Sequence, residues 1–337
     1  MTFGRAICTI AALVLLFGAS STVQAQNNPV PNSLDRDHGI ELYRQGKYAE
    51  SSKLLKKVVK KAKTDDTAWY YLGLSLMRKK ELKDAIKALE TAVQLQPKSA
   101  SAHIALGYAL LMRNQNAVAL HEALAAQAID ARLADAHYVS GVAYLRLGKR
   151  DSALQEAETI LQIDPKFANA YLLKSQALVS FIGDALVRDP ADEPFKGRYT
   201  EAGDALEKYL QLNQTAEDKA TLTEQLESLR FFEAQRKGGS RVAYTSREVT
   251  TKARVLSKPE PQYTERARSQ GVIGTVVLRA IFADDGRVKH IIVVRSLPDG
   301  LTEMALAAAR RIKFVPATLN GLPVSVFIQL EYNFNLY

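Results

Sequence analysis

A 34-residue period governs the chain from residue 37 to about residue 212 and leaves few folds open to it. Gly73, Gly107 and Gly141 fall one period apart, as do Trp69, His103, His137 and Tyr171, and again Ala85, Ala119 and Ala153. Pro97 and Pro165 stand two periods apart. Within each period, apolar residues recur at helical spacing in two runs divided by a short polar turn, which predicts a pair of amphipathic helices. In one unit Trp69, Leu72, Gly73 and Leu76 form the first apolar face, Ala85, Leu89 and Ala92 form the second, and Pro97 ends it. Small residues such as Gly73 and Ala85 let two helices approach, while the large residue at the Trp69 position fills the space to the next unit. No unit can bury its apolar face alone, so the units must stack into a solenoid. An earlier, more degenerate unit carries Gly39, Gly46, Tyr48 and Leu55, as a terminal repeat should. A fifth begins at Ala168 and is interrupted: Tyr199, Ala202 and Leu206 resume the second-helix pattern late, which makes 183–197 an inserted loop. Residues 215–237 then predict a capping helix.

This pattern resembles the tetratricopeptide repeat, whose signature carries these Trp, Leu-Gly, Tyr, Ala and Pro positions. The resemblance implies a concave face, lined by the first helix of each unit, that binds peptides or helices. Carried onto this sequence, the groove comprises Tyr70, Leu74 and Met77, then Ile104, Tyr108 and Leu111, then Tyr138, Val142 and Leu145. Such an aromatic and aliphatic lining suits an apolar or amphipathic segment. The Lys, Arg and Asn set of the carboxylate-clamp subtype is not present. His103 and His137 occupy the position held elsewhere by Trp69 and Tyr171, so they read as core aromatics. His38, His121 and His290 have no acidic or histidine partners at ligand spacing, and neither a metal site nor any cofactor is expected.

The first 25 residues read as an export signal, with Arg5 as the positive region, residues 6–17 as an apolar run and Val23-Gln24-Ala25 as the cleavage site. That run falls short of the roughly 20 residues a membrane span needs. A periplasmic destination is therefore expected, the alternative being an inner-membrane anchor through an uncleaved N-terminus. The single cysteine, Cys8, lies inside the signal, so the mature chain has no thiol for catalysis, disulfides or metal ligation. The net charge is +9, and residues 237–337 hold 15 Lys and Arg against 8 Asp and Glu. No nucleic-acid-binding motif accompanies that charge, which reads as a solvated basic surface and not as a nucleic-acid site.

After Lys237-Gly238-Gly239-Ser240 the repeats stop and β-branched residues rise. Residues 237–257 read as a linker, and 258–337 as a small αβ module behind a helical domain over 34–236. A short helical piece at 265–269 precedes a strand over 275–283, the Asp284-Asp285-Gly286 turn and a returning strand over 287–295. Thr302 can N-cap a helix to Lys313 with Leu301, Ala305, Ala308 and Ile312 on its apolar face. Asn320-Gly321 then turns into a long alternating strand over 323–336. The expected fold class is α+β in two domains: an all-α solenoid, then a three-stranded antiparallel sheet with one packed helix.

Pro261-Gln262-Tyr263, Ala267-Arg268, Gly271, Gly274, Asp285-Gly286-Arg287-Val288, Ala305, Ala308, Arg310-Arg311, Phe314, Pro316 and Asn320-Gly321 occur in the order found in the TonB C-terminal domain, which this segment resembles. Thr264 replaces the family's usual Pro and Ile312 its common Trp. The resemblance implies docking of the short N-terminal box of an outer-membrane transporter on the last strand. At about 12–14 residues that strand exceeds the typical ~5–6, and an edge there offers unpaired N–H and C=O groups to an added strand. The residues implied are Pro261, Gln262 and Tyr263 with Ser325, Phe327, Gln329, Glu331 and Asn333. The competing expectation is an edge capped by residues 240–257 or by a homodimer through this domain. Function is read as a periplasmic protein-interaction adaptor of the TonB type whose repeat groove recruits a second partner, with a role in energy-coupled transport if the N-terminus stays anchored. The alternative is a structural scaffold of an envelope complex. An enzyme is not expected: Asp284-Asp285 sits at a hairpin tip, and no phosphate-cradling loop or His–carboxylate cluster is present.

Overall fold

The computed structural model describes residues 33–188, 198–215, 218–236 and 243–336. The signal segment with Cys8 lies outside these residues, as does most of the expected insertion. The chain divides into two compact units, one ending at Gly148 and the other beginning at Lys149.

The first unit contains α1 (Ser33–Arg44), α2 (Tyr48–Lys61), α3 (Asp66–Arg78), α4 (Leu82–Leu95), α5 (Ala100–Met112), α6 (Asn116–Ile129) and α7 (Ala134–Arg146). Asp65 caps α3 by accepting from the Ala68 N–H at 2.9 Å, and Ser99 caps α5 through Ala102. First helices pack on the first helix of the next unit, α1 on α3, α3 on α5 and α5 on α7. They form the inner layer of the stack, with α2, α4 and α6 outside. The repeat glycines are contact points: a Cβ on Gly73 would stand 2.5 Å from Leu89 Cγ, and one on Gly107 2.8 Å from Val139 Cγ1.

Gly46, Lys80, Asn114 and Gly148, again 34 residues apart, all take positive φ of 57–77° in the turn that follows the first helix of each repeat. Packing on both sides imposes this turn, so Lys80 and Asn114 adopt a conformation that glycine would take freely. The periodic aromatics also share a role. Trp69 Nε1 donates to the Lys63 carbonyl at 2.9 Å, and the Nε2 of His103 and His137 meet the carbonyls of Pro97 and Ala131 at 3.0 and 2.9 Å. In the second unit the Tyr171 hydroxyl donates to Pro165 at 3.1 Å. Of these four rings only His103 is buried. The expectation of core aromatics thus holds for His103 and is corrected for the half-buried His137: the position places a polar ring atom on the carbonyl six residues earlier, and imidazole meets it as well as indole does.

The second unit begins with α8 (Arg150–Ile163), α9 (Ala168–Arg188), α10 (Arg198–Leu212) and α11 (Lys219–Arg236). There follow β1 (Ala243–Tyr244), β2 (Arg254–Ser257), α12 (Glu265–Gln270), β3 (Gly274–Phe282), β4 (Val288–Arg295), α13 (Leu301–Ala309), β5 (Lys313–Val315), β6 (Ala317–Leu319) and β7 (Leu322–Phe334). The three expected antiparallel strands are present in the order β7-β3-β4, with β4 at one edge of the sheet. β1 extends it by parallel pairing on β7, β6 folds back on β7, and β2 pairs with β5 in a separate ribbon. The segment expected to be a linker is therefore structured from Ala243 on. Helix α13 starts at Leu301 behind Gly300, whose φ is +85°, while the Thr302 hydroxyl accepts from Leu297 N–H and donates to its carbonyl instead of capping. The helix ends at Ala309, and Lys313 belongs to β5.

One sheet face packs on α13, with Leu278, Phe282, Leu330, Tyr332 and Phe334 against Leu301, Ala305 and Ile312. The other meets the helices of its own unit: Ile281, Ile292 and Phe327 join Tyr199, Leu206, Leu229 and Phe232 in a second core. Burying both faces is what an isolated small module would not achieve.

Candidate functional site

Strand β7 pairs with β3 without a register break, from Phe334 opposite Gly274 to Val326 opposite Phe282. Main-chain groups of an antiparallel strand point alternately to either side. Lys258 Nζ donates to the Glu331 carbonyl at 2.7 Å from outside the sheet, so Glu331 faces away from β3. By alternation Phe327, Gln329 and Asn333 face the same way. On that side β1 covers β7 only at Ser325 and Val326, and β6 pairs only with Leu322–Val324.

The expected edge residues therefore separate into two sets. Gln329 is half-buried, Glu331 and Asn333 are exposed, and all three lie on uncovered strand. The Gln329 amide donates to Glu331 Oε1 at 2.8 Å, and Asn333 accepts from Thr275 at 2.7 Å, which keeps the row's outer face polar. Ser325 is otherwise engaged, and placing it on a free edge is corrected; Phe327 keeps its main chain on that side but turns its side chain inward. Ser325 is buried, takes the Asp284 N–H on its hydroxyl and pairs with Ala243. Phe327 turns its ring to Phe232, with centroids 5.8 Å apart, and lies beside the Arg279 guanidinium. Among the described residues, the edge is thus covered by residues 243–244, met by Lys258 at the Glu331 carbonyl, and otherwise open.

The segment before α12 converges on the same end of the strand. The Tyr263 ring meets Phe334 edge-on at 5.7 Å and its hydroxyl donates to the Val272 carbonyl. Pro261 is half-buried and Gln262 exposed. Lys258 lies over the Tyr332 ring at 4.6 Å. Burial, with the nearby Glu260 charge, pushes the Tyr332 phenol up to about 12. Sequence reasoning missed Lys258, because a lysine outside a predicted strand gives no sign of which carbonyl it will reach.

The opposite edge is closed. The Gln225 side chain on α11 donates to the Ile291 carbonyl and accepts from the Val293 N–H, both at 3.1 Å, so its amide pairs with β4 as a peptide would. A bulge opposite Ala280 puts His290 at φ +48° and lays its ring on Phe231, centroids 3.7 Å apart and planes 6° from parallel. Arg310 and Glu224 form an ion pair at the same junction. Burial, then Lys289, lowers the His290 pKa.

In the first unit the expected groove residues sit on inner-layer helices α3, α5 and α7. Leu74, Met77, Ile104, Tyr108, Leu111 and Tyr138 are buried, while Tyr70, Val142 and Leu145 are half-buried. The Tyr108 and Tyr138 rings lie 6.3 Å apart. Tyr108 donates its hydroxyl to Asp135 Oδ1 at 2.9 Å. Asp135 was not anticipated, although a signal existed: the same repeat position holds Thr67, Ser101 and Asn169, so it alone is acidic. Burial raises the Asp135 pKa against the lowering effect of the Tyr108 bond. A raised carboxyl contributes stability below the ordinary aspartate range and loses it as pH rises through the folded value. Asp135→Asn, which still accepts from Tyr108, is expected to remove that loss and gain up to about 1 kcal/mol at neutral pH. Thermal unfolding at a series of pH values checks this; an unchanged pH profile counts against it.

Among the described residues no helix is long and apolar enough to cross a membrane. Residues 259–336 match the family described as Gram-negative bacterial TonB protein C-terminal. Residues 36–100, 82–132 and 134–167 match tetratricopeptide repeat families. The chain is 32% identical over 89 residues to Protein TonB of Vibrio cholerae serotype O1, which is 26% of this chain and 36% of that protein. It thus spans about a third of the length of this curated relative. Among solved structures, MamA protein shows 26% identity over 56% of this chain and 93% of its own, with a TM-score of 0.43. A thermophilic TPR protein of Thermus thermophilus shows 20% over 59% and 98%, with 0.44. The chain carries tetratricopeptide repeats followed by a TonB C-terminal domain, and both modules indicate protein partners.

Proposed function

We propose that this repeat chain with a TonB C-terminal domain is an exported envelope adaptor. Its β7 edge takes up the N-terminal peptide of an outer-membrane transporter as an added strand, and its repeat groove holds a second protein. One observation carries the reading: β7 presents Gln329, Glu331 and Asn333 on uncovered strand while Gln225 fills the β4 edge. An added strand would gain main-chain hydrogen bonds at alternate residues. Tyr263, beside Phe334, brings Pro261 and Gln262 to the end where that strand would emerge. In the groove, half-buried Tyr70, Val142 and Leu145 offer apolar surface above the buried Tyr108 and Tyr138, which suits the apolar side of an amphipathic segment. The relation to TonB supports a periplasmic location, and this docking mode suits a role in energy-coupled transport.

A photo-crosslinking residue at Gln329, activated in cells, tests the docking. The expected adduct contains the N-terminal segment of an outer-membrane transporter. Trapping only a second copy of this chain would replace the reading with a homodimer, and trapping nothing would leave a scaffold.

A further inference from the structure

The regular repeat allows each outer helix of the first unit to be compared with its counterpart 34 residues away. Two of them depart from the ordinary mixed surface. Residues 48–63, which comprise α2 and the turn after it, hold six lysines against Glu50 alone. Leu55, Val58 and Val59 bury the inner side, and Lys53, Lys57 and Lys60 share the exposed face. None of these three makes an ion pair among the described residues; on this helix only Lys56 approaches an acid, Glu81 at 3.9 Å. The second departure is on α6. Val118 is 51% and Leu124 42% exposed, on one face with His121 between them. At the same repeat positions α4 has Asp84 and Glu90, and α8 has Ser152 and Glu158. Residues 99–148 contain only six charged side chains, so little near α6 compensates for the exposed apolar surface.

We propose that the outer layer of the first unit is a docking surface for an anionic lipid bilayer. The α2 lysines lie against headgroup phosphates, and Val118 and Leu124 enter the interfacial region. Charge complementarity and the pairing of two unlike faces select this occupant. A nucleic acid would satisfy the lysines and leave Val118 and Leu124 in water. A second copy packed through α6 would cover the apolar face and gain nothing from the lysine row. A bilayer bearing anionic lipid uses both: each lysine is attracted to the surface potential, and the apolar side chains leave water at the acyl boundary. Compact ammonium groups without interleaved aromatic side chains also suit phosphate headgroups better than bases.

The test is flotation of the full chain with phosphatidylcholine vesicles, with and without phosphatidylglycerol, at low and high salt. Selective binding to the phosphatidylglycerol vesicles, weakened by salt, is expected. K53Q/K57Q/K60Q should reduce partitioning by about a hundredfold, the product of three surface charges. V118S/L124S should reduce it by about tenfold or more. These side chains are exposed, so both variants should keep the wild-type thermal transition; if the serine variant does not, the lysine variant alone decides. Equal binding to neutral vesicles, or unchanged binding of the lysine variant, overturns the proposal. So does a dimer that V118S/L124S dissolves while vesicle binding stays intact. Binding to a short DNA duplex that the lysine variant loses, with no flotation, would overturn it in favour of nucleic acid.

Discussion

Gln329→Pro is expected to abolish peptide-strand capture at β7 while the domain stays folded. The argument is geometric. Gln329 lies opposite Arg279 and its main-chain groups point away from β3, on the side where Lys258 reaches Glu331. Proline there removes an N–H that an incoming strand would use and puts a ring in its path, yet it breaks no rung of the β3–β7 ladder. Loss of one central hydrogen bond together with the clash should weaken capture by about 10- to 100-fold or more. Ile328→Pro is the contrast: its main chain faces Ala280 in β3, so the same substitution one residue earlier should unfold the sheet. Circular dichroism, together with the crosslinking assay with its photo-reactive residue moved to Asn333 on the same side of β7, separates the two. If Gln329→Pro leaves the transporter adduct at its wild-type yield, β7 is not the docking edge.

The second large effect is expected at the other edge. Gln225→Ala leaves the Ile291 carbonyl and Val293 N–H without their side-chain partner in a buried junction. Each orphaned group costs about 1–3 kcal/mol, so a loss of about 2–6 kcal/mol is expected. At roughly 2–4 °C per kcal/mol for a unit of this size, the melting temperature should fall by about 4–24 °C. An opened β4 is also an unpaired strand, so the variant should self-associate as its concentration rises. Gln225→Glu should do no better, because a carboxylate can accept from Val293 but repels the Ile291 carbonyl. A melting temperature within a degree of wild type would mean that packing around His290 and Phe231, not the amide, closes this edge.

Both predictions depend on how much of each strand the rest of the unit consumes, and this was unevenly legible. The alternation in 323–336 and the Asn320-Gly321 turn announced β7 almost to the residue, since both signals are local. That Ser325 is covered and that the Phe327 ring is engaged was not legible. They are used by Ala243 and Phe232, partners more than 80 residues away with no shared pattern. Gln225 read as one polar position on an amphipathic helix, 66 residues from Ile291, and nothing local marks an amide that will pair with a strand. Likewise the Gly46 and Gly148 turns could be foreseen, whereas Lys80 and Asn114 in the same backbone conformation could not.

The amino-acid order by itself determined the helical pairs, their stacking, the hairpin and the long last strand, because each is written in periods of two or about 3.6 residues and in turn chemistry that acts over a few positions. Tertiary structure alone decided which strand edge stays open. That outcome depends on main-chain groups, which every residue carries alike, and on whether a distant side chain happens to reach them.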